Sequence, residues 1–250
     1  MQILLQIKPK RESSIVWFRQ DLRTIDQPAL SAAIKRGGPI VPVYIWEPKE
    51  CGNWPLGAAS KWWLHHSLIS LERELIQLGL QLIVRKGSSI KNLLEIAAES
   101  QANAIYWNRC YEPYSQARDS HIQAHLQNEG LSIHSFNGSL LYEPWKILNK
   151  QNKPFQVFTP FWKHCLKTAQ PEASLTTTAS AKGLSKKIRT ESIHSLDLLP
   201  HVQWDIGLKE SWQPGCSGAQ KKLQRALEFA IPSYVPNRAM NTKSGWILRK

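Results

Sequence analysis

The sequence lacks the glycine-rich loops with which many α/β proteins bind phosphates. Arg19-Gln20-Asp21-Leu22-Arg23 follows the first apolar run, where a dinucleotide-binding fold would place G-x-G-x-x-G. No P-loop occurs, and no G-x-S-x-G elbow presents a nucleophilic serine. These absences argue against an ordinary Rossmann-type NAD or FAD site and against a serine-triad hydrolase.

Cysteines are few and dispersed, and long hydrophobic runs are missing. No C-x-x-C pair or histidine spacing indicates a disulfide framework or a metal site, and the four cysteines are Cys51, Cys110, Cys165 and Cys216. No apolar run approaches the ~18 residues that span a bilayer. Residues 1–7 are too short and polar for a signal-peptide core. We therefore expect a cytoplasmic protein without a membrane partner.

Acidic residues are outnumbered by basic ones. Lys and Arg total 32 against 19 Asp and Glu, which gives a net charge of +13. Such an excess favours a polyanionic partner such as nucleic acid, although a merely soluble basic surface also fits it. The basic run at Lys182, Lys186, Lys187 and Arg189 indicates a solvated segment rather than a reader of bases.

Short apolar runs alternate with helical patterns through the first 137 residues. Unbroken runs of this kind are typical of parallel strands covered on both faces. The predicted strands are 14–18, 40–45, 80–86, 103–108 and 131–137. The alternation predicts an α/β fold, a Rossmann-like doubly wound sheet of five parallel strands with right-handed crossovers.

Four helices are predicted between these strands. Asp26 is expected to cap the first, with Pro28 in its first turn and Gly37 at its end. The second, 58–78, has leucines at alternating spacings of four and three, which predicts one buried stripe that ends at Gly79: Leu64, Leu68, Leu71, Leu75 and Leu78. The third and fourth are predicted around 90–97 and over 115–127.

The pattern changes after residue 137. Residues 155–162 are rich in aromatic side chains. Residues 167–190 contain mostly Thr, Ser, Ala and Lys, and so few apolar side chains cannot offset the entropy of ordering, which predicts a solvent-exposed linker. A last helix is predicted over 219–229, with Leu223, Ala226, Leu227 and Ala230 on one face.

Polar and aromatic side chains follow the predicted strands where open α/β sheets bind ligands. Arg19 follows the first strand, 46–47 the second and 108–112 the fourth. Together they could stack on a flat heteroaromatic ligand and hydrogen-bond to its polar edge. An ion-pair network among Arg19, Asp21 and Glu112 that ties the loops together explains the same residues.

Two adjacent pairs, Trp62-Trp63 and His65-His66, lie in the second predicted helix. Adjacent helix residues point roughly 100° apart, so neither pair forms a clamp on one face. We expect core packing for one tryptophan and surface or interface placement for the other.

Four stretches stand in the order and spacing of a known family. They are IVWFRQDLR at 15–23, GAASKWWLHHSL at 57–68, YWNRCYEPY at 106–114 with Arg118-Asp119, and FQVFTPFWK at 155–163. The chain resembles the DNA photolyase/cryptochrome family, and within it the class I cyclobutane pyrimidine dimer photolyases. The resemblance implies an N-terminal α/β domain that holds an antenna chromophore, either a folate or a deazaflavin.

The resemblance also implies site residues. Positions that match antenna contacts are Arg19, Tyr44, Trp46, Glu47, Asn108, Cys110, Glu112 and Arg118. Deazaflavin-type members tend to carry an aspartate at the position of Cys110, which weakens a deazaflavin assignment and leaves a folate open. Tyr234 matches a residue that contacts FAD in the helical half of the family's proteins.

The implied function is light-driven repair of pyrimidine dimers in damaged DNA by electron donation from reduced FAD. After Gly245 the chain reads Trp246-Ile247-Leu248 where the family continues Thr-Ser-x-Leu-Ser, which binds the FAD phosphates. We therefore expect this chain to be the antenna half, inactive alone and unable to bind FAD. The alternatives are a non-enzymatic pigment-binding subunit, a split-gene subunit that pairs with a separately encoded C-terminal half, and a cryptochrome-like blue-light photoreceptor fragment.

The predicted division of the chain follows from this resemblance. An N-terminal extension is expected at 1–13 and the α/β domain at 14–140. An interface segment and linker are expected at 141–200, and the start of a truncated helical FAD-binding domain at 201–250.

Overall fold

Five parallel strands form a sheet in the computed structural model of this chain, which describes residues 12–48, 55–168, 175 and 181–231. The strand order is β3-β2-β1-β4-β5. The strands are β1 (Ser13–Phe18), β2 (Ile40–Trp46), β3 (Ile83–Lys86), β4 (Ala102–Asn108) and β5 (Ser132–Phe136). The predicted parallel α/β sheet is confirmed, and β1 and β2 are buried along their whole length, as unbroken apolar runs require.

Helices connect the strands and cover both faces of the sheet. They are α1 (Pro28–Arg36), α2 (Ala58–Gln77), α3 (Ser89–Ser100) and α4 (Pro113–Asn128). Buried side chains of α1 and α2, such as Leu30 and Leu71, belong to one hydrophobic cluster, whereas Leu93 of α3 and Ile122 of α4 belong to another. The fold is therefore doubly wound, as predicted.

The leucine stripe of α2 packs as its spacing predicts. Leu68, Leu71 and Leu75 are fully buried, and Gly79 follows the helix with a φ of +78°. The predicted cap of α1 was wrong: the N-cap is Gln27, which makes no side-chain cap hydrogen bond. Asp26 has a φ of +50°, and its Oδ1 instead accepts a hydrogen bond of 2.8 Å from the Leu175 amide. The Asp26 carboxylate therefore makes a tertiary hydrogen bond and does not cap α1.

The prediction of a solvent-exposed linker fails for the described part of that segment. Gly183 forms a parallel bridge with Ile40, and the Glu191 amide donates a hydrogen bond of 2.9 Å to the Val84 carbonyl oxygen. Ile188 is buried in the cluster with α3 and α4. The segment thus covers the β3 edge, because backbone hydrogen bonds to the sheet replace the apolar side chains that it lacks.

Shorter helices follow the sheet. They are α5 (Phe158–Thr168), α6 (Ile206–Ser211) and α7 (Cys216–Arg225), and a π-helical turn (Ala226–Ala230) continues α7. The predicted last helix therefore exists, but Leu223 and Leu227 on its apolar face are exposed. Within the described residues, no helix combines the length and apolarity needed to cross a membrane. The compartment and the domain boundaries stay predictions.

Candidate functional site

A cavity of about 630 Å³ opens at the carboxyl ends of β1, β2 and β4. The strand order reverses between β1 and β4, and the crevice outside such a switch point is where open α/β sheets bind ligands. Six of the eight predicted antenna positions line the cavity, and they are Arg19, Tyr44, Trp46, Glu47, Cys110 and Arg118. Residues brought from three strands and from α4 therefore meet in one place.

Asn108 and Glu112 do not line this cavity. The Asn108 side chain is buried, its Nδ2 donates to Asp21 Oδ2 at 2.6 Å and to Gln27 Oε1, and its Oδ1 accepts from the Ala29 amide at 3.2 Å. Its polar atoms tie the end of β4 to the loop before α1. Glu112 is exposed at the N-cap of α4. Asn108 therefore supports the site from behind the cavity wall, and its predicted contact with an antenna chromophore stays a prediction.

Arg19 is held in place by Asp119. Its Nη1 donates to the two carboxylate oxygens of Asp119 at 2.7 and 2.6 Å, and its Nη2 donates to the Asn108 carbonyl oxygen. Arg19 therefore forms an ion pair, but with Asp119 and not with Asp21 or Glu112, the partners that the alternative interpretation expected. The network and the cavity coexist, because the same guanidinium that pairs with Asp119 also borders the cavity.

Trp17 lies beneath two cationic side chains at the cavity wall. The guanidinium carbons of Arg19 and Arg118 lie 4.8 and 5.6 Å from the centre of its ring. Arg118 also donates to Asp119 Oδ1 from Nε at 3.0 Å and from Nη2 at 2.8 Å. Burial lowers the pKa of the Arg118 guanidinium, which the charge of Asp119 opposes. Two guanidinium groups therefore share one carboxylate at this wall, and the carboxylates of Asp21 and Glu47 line the same cavity.

Glu47 and Cys110 contribute polar groups of different character. Glu47 Oε2 accepts hydrogen bonds from the amide and hydroxyl of Ser89, at 2.9 and 2.8 Å, and so binds the N-terminal end of α3. Burial raises the pKa of the Cys110 thiol to about 11, an effect that the nearby Arg19 charge opposes. Cys110 is therefore a neutral, poorly nucleophilic group at this site.

The far wall of the cavity consists of residues that were not predicted as site residues. Trp63 and Leu64 come from α2, and Gly215 and Cys216 stand where α7 begins. Trp63 is 41% exposed and packs edge to face on Trp212 with ring centroids 5.7 Å apart, whereas Trp62 is buried, as the 100° argument predicted for the pair. The one available signal was that Trp63 lies in a stretch that resembles the family.

Gly215 permits the close approach of α7 to α2. Its φ is +98°, and a Cβ at this position would lie 2.3 Å from Ser70 Oγ, which is closer than real contacts. Glycine is therefore required for the turn that closes the cavity.

The side chains around the cavity can bind a flat ligand. Aromatic walls from Tyr44, Trp46 and Trp63 can stack on a flat ring system, and Arg19 and Arg118 can face its polar edge. In the part of the chain that the structure describes, no group of three His, Cys, Asp or Glu side chains is placed to hold a metal ion. Cys110, Cys165 and Cys216 are free thiols, and Cys51 lies outside the described residues.

Comparison with known proteins assigns the chain to a family. The family model described as DNA photolyase matches residues 14–180. The chain belongs to the DNA photolyase family. It is 37% identical over 230 residues to a deoxyribodipyrimidine photo-lyase of Agrobacterium fabrum, and 36% identical over 234 residues to cryptochrome-1 of Arabidopsis thaliana. The predicted family is confirmed.

This photolyase-family chain spans only part of each relative. The two matches cover 92% and 90% of the chain but 47% and 33% of the relatives' own lengths. A solved structure of a class III photolyase from Agrobacterium tumefaciens superimposes with a TM-score of 0.87 at 35% identity, covering 94% of this chain and 48% of that one. The class I assignment stays a prediction beside this class III relative. The FAD contact predicted at Tyr234 lies outside the described residues.

Proposed function

We propose that this chain is the pigment-holding part of a light-driven DNA lyase of the photolyase type. The observation that carries the proposal is the convergence of six predicted antenna positions on one cavity at the switch point of the sheet. Family members bind FAD and an antenna chromophore. The cavity supports the second of these roles for this chain, because aromatic walls and two arginines fit a flat heteroaromatic with an electron-rich edge.

The longer reaction is proposed from the relatives. The Agrobacterium fabrum relative is a deoxyribodipyrimidine photo-lyase. For a protein that contains this chain, the proposed activity is the light-driven cleavage of pyrimidine dimers in DNA. An antenna only needs to hold its pigment rigidly, and neither a nucleophile nor a metal ion is required of this half. The neutral Cys110 thiol and the buried Arg19–Asp119 pair fit such a passive role.

Pigment binding can be tested with two probes. The 250-residue chain is titrated with 5,10-methenyltetrahydrofolate and with an 8-hydroxy-5-deazaflavin, and binding is followed by pigment fluorescence. We expect one of them to bind and Trp63→Ala to weaken it at least fivefold, because a stacked aromatic wall is lost. Trp204→Ala is the matched control, since Trp204 is 43% exposed and does not line the cavity. Equal losses in both variants, or no binding of either probe, would contradict the proposal.

Cys110 gives a second test that separates the two pigments. Cys110→Asp restores the residue type that deazaflavin-type relatives are expected to carry, and it adds a carboxylate next to Arg19. If the natural pigment is a folate, the variant should lose folate affinity without gaining deazaflavin affinity. A gain for the deazaflavin alone would show that the cavity is of the deazaflavin type and differs by this one residue.

A cryptochrome-like photoreceptor is the second candidate, because identity to Arabidopsis cryptochrome-1 is within one percentage point of that to the photo-lyase. The two functions share a pigment-holding half and differ in what the longer protein does. Assaying dimer cleavage by the longest protein that contains this chain, under blue light, distinguishes them. Cleavage favours the lyase, and pigment photochemistry without cleavage favours the photoreceptor.

A further inference from the structure

A second groove, unrelated to the pigment cavity, is lined by lysines. Its volume is about 530 Å³, it shares no lining residue with the cavity at the strand ends, and Lys150, Lys163, Lys167 and His164 line it. Between residues 144 and 168 the sequence contains five lysines and neither aspartate nor glutamate. The groove therefore presents charge of one sign to solvent.

The wall that carries Lys150 is a self-bonded turn. Asn149 Oδ1 accepts hydrogen bonds from the amides of Gln151 and Lys153, at 2.8 and 3.1 Å, and the Asn149 amide donates to the Lys153 carbonyl oxygen at 2.8 Å. Phe155 joins the turn to α5, since its ring centroid lies 5.3 Å from His164 and 6.2 Å from Phe161. The lysines of the turn and of α5 thus face one another across a preformed groove.

Exposed aromatic rings run beside the lysines on α5. Phe158 and Trp162, one turn apart, have planes 6° from parallel and centroids 6.4 Å apart, and they are 71% and 45% exposed. Lys163 follows Trp162 directly, so the basic row lies about 100° around the helix from the aromatic row. The helix packs inward through the buried Cys165. Adjacent exposed aromatic side chains form an apolar patch of the kind that marks an interaction site.

We infer that α5 and the 149–153 turn form a contact surface for single-stranded nucleic acid, in which the lysine groove follows the phosphates and Phe158 and Trp162 stack on unpaired bases. A basic groove with adjacent aromatic faces is the arrangement by which proteins bind single strands without reading sequence. A duplex keeps its bases stacked on each other and satisfies only the charged half of this surface. An anionic membrane would suit an isolated amphipathic helix, but here the lysines line a concave groove between two segments.

The inference is tested by fluorescence anisotropy with labelled oligothymidylate of about 20 nucleotides, a length that exceeds one such binding surface. Lys163→Glu/Lys167→Glu should abolish measurable binding at moderate salt. Replacing the same lysines by glutamine should reduce the slope of log K against log salt by about 1.4, from ~0.7 per phosphate contact on a single strand. Lys35→Glu/Lys187→Glu makes the same change of net charge at exposed positions elsewhere. If this control weakened oligothymidylate binding equally, the effect would come from overall charge, and the inference would be overturned.

The aromatic side chains of α5 are tested by a separate experiment. Trp162→Ala should weaken oligothymidylate binding at least fivefold, the lower end of stacking on one base, and leave binding of heparin, a polyanion without bases, unchanged. Circular dichroism checks that the variant folds, and Trp204→Ala is again the matched control. Duplex binding as tight as single-strand binding, a Trp162→Ala variant that binds normally, or tighter binding to phosphatidylserine vesicles than to the oligonucleotide would each overturn the inference.

Failure of this surface and failure of the pigment site are distinguishable. The lysine and Trp162 variants should bind the two pigment probes as the unmodified chain does, and Trp63→Ala should bind oligothymidylate normally. Pigment binding that is lost together with nucleic-acid binding would mean that the lysine and Trp162 variants had unfolded the chain.

Discussion

Arg19, directly after β1, and Asp119 in α4 form an ion pair across the switch point of the sheet, in which Nη1 donates to both carboxylate oxygens at 2.7 and 2.6 Å. Both side chains are largely buried, at 7% and 13% exposure. The pair therefore fixes the wall of the cavity as well as the connection between β1 and α4.

Removing one charge of this pair should be costly. We expect Asp119→Asn to lower the free energy of unfolding by about 3 kcal/mol, because Arg19 and Arg118 are left buried without their carboxylate. Urea denaturation measures the change. Asp197→Asn is the control, since that side chain is 74% exposed beside His201 and its loss should matter by less than about 0.5 kcal/mol. Equal effects in the two variants would show that the Arg19–Asp119 pair does not stabilise the fold.

Gly215 should not tolerate a side chain. Gly215→Ala combines a φ of +98° with a contact of 2.3 Å to Ser70 Oγ, so we expect about 1–3 kcal/mol of destabilisation and weaker pigment binding as α7 shifts from the cavity. Gly207→Ala is the matched control, and it should raise the free energy of unfolding. Its Cβ meets nothing within 4 Å, and alanine favours the helix α6 that contains it. An unchanged melting temperature for Gly215→Ala would refute the close-approach argument.

The histidines of α2 should make the fold sensitive to acid. His65 is 2% exposed, and burial, followed by the charges of His66 and His194, lowers its pKa to about 4 from 6.5. The unfolded chain therefore binds a proton that the folded chain refuses between pH 6.5 and about 4. Stability is fully present above pH 6.5 and falls as the pH is lowered through this window, by up to about 1.4 kcal/mol per pH unit.

Denaturation curves at several pH values test this slope. His65→Phe removes the titrating group and should flatten the pH dependence between 6.5 and 4, although His66, whose pKa burial also lowers, keeps part of it. His201→Gln, which removes a histidine at an exposed position outside α2, is the control variant. If the dependence of stability on pH were unchanged in His65→Phe, other groups would be responsible for the acid sensitivity.

Cys110 should react slowly with alkylating agents despite lining a cavity. A pKa of about 11 in place of 9.0 leaves roughly a hundredfold less thiolate at neutral pH. Iodoacetamide labelling followed by peptide mass spectrometry should show a rate that keeps rising beyond pH 9 and increases on denaturation. Rapid labelling of the folded chain at pH 7 would show that the thiol is less buried than the structure places it.

The sequence by itself determined the main elements of the sheet, and six of its eight predicted site positions line the cavity. Strands covered on both faces must be apolar throughout and a helix with one buried face must repeat its leucines, so β1, β2 and α2 could be predicted from local pattern. The same logic separated Trp62 from Trp63. Arg19 and Trp46 were also predictable, since they lie at or just after the carboxyl ends of strands that share one edge of a parallel sheet.

Only the tertiary structure decided which partners these residues have. Arg19 and Asp119 are 100 residues apart, and no local periodicity encodes a pairing at that separation. Local sequence likewise does not show that the Asp26 carboxylate accepts a hydrogen bond from the Leu175 amide instead of capping its own helix. It also does not show that Ser70 lies so close to Gly215 that a side chain there would clash with it. The segment at 181–191 was predicted to be part of a linker because it has few apolar side chains. It joins the sheet through backbone amide and carbonyl groups, which do not depend on the identity of the side chain. The composition of a segment indicates how much apolar surface its side chains can bury. Which backbone groups and which charged side chains the segment contacts is decided only by the fold.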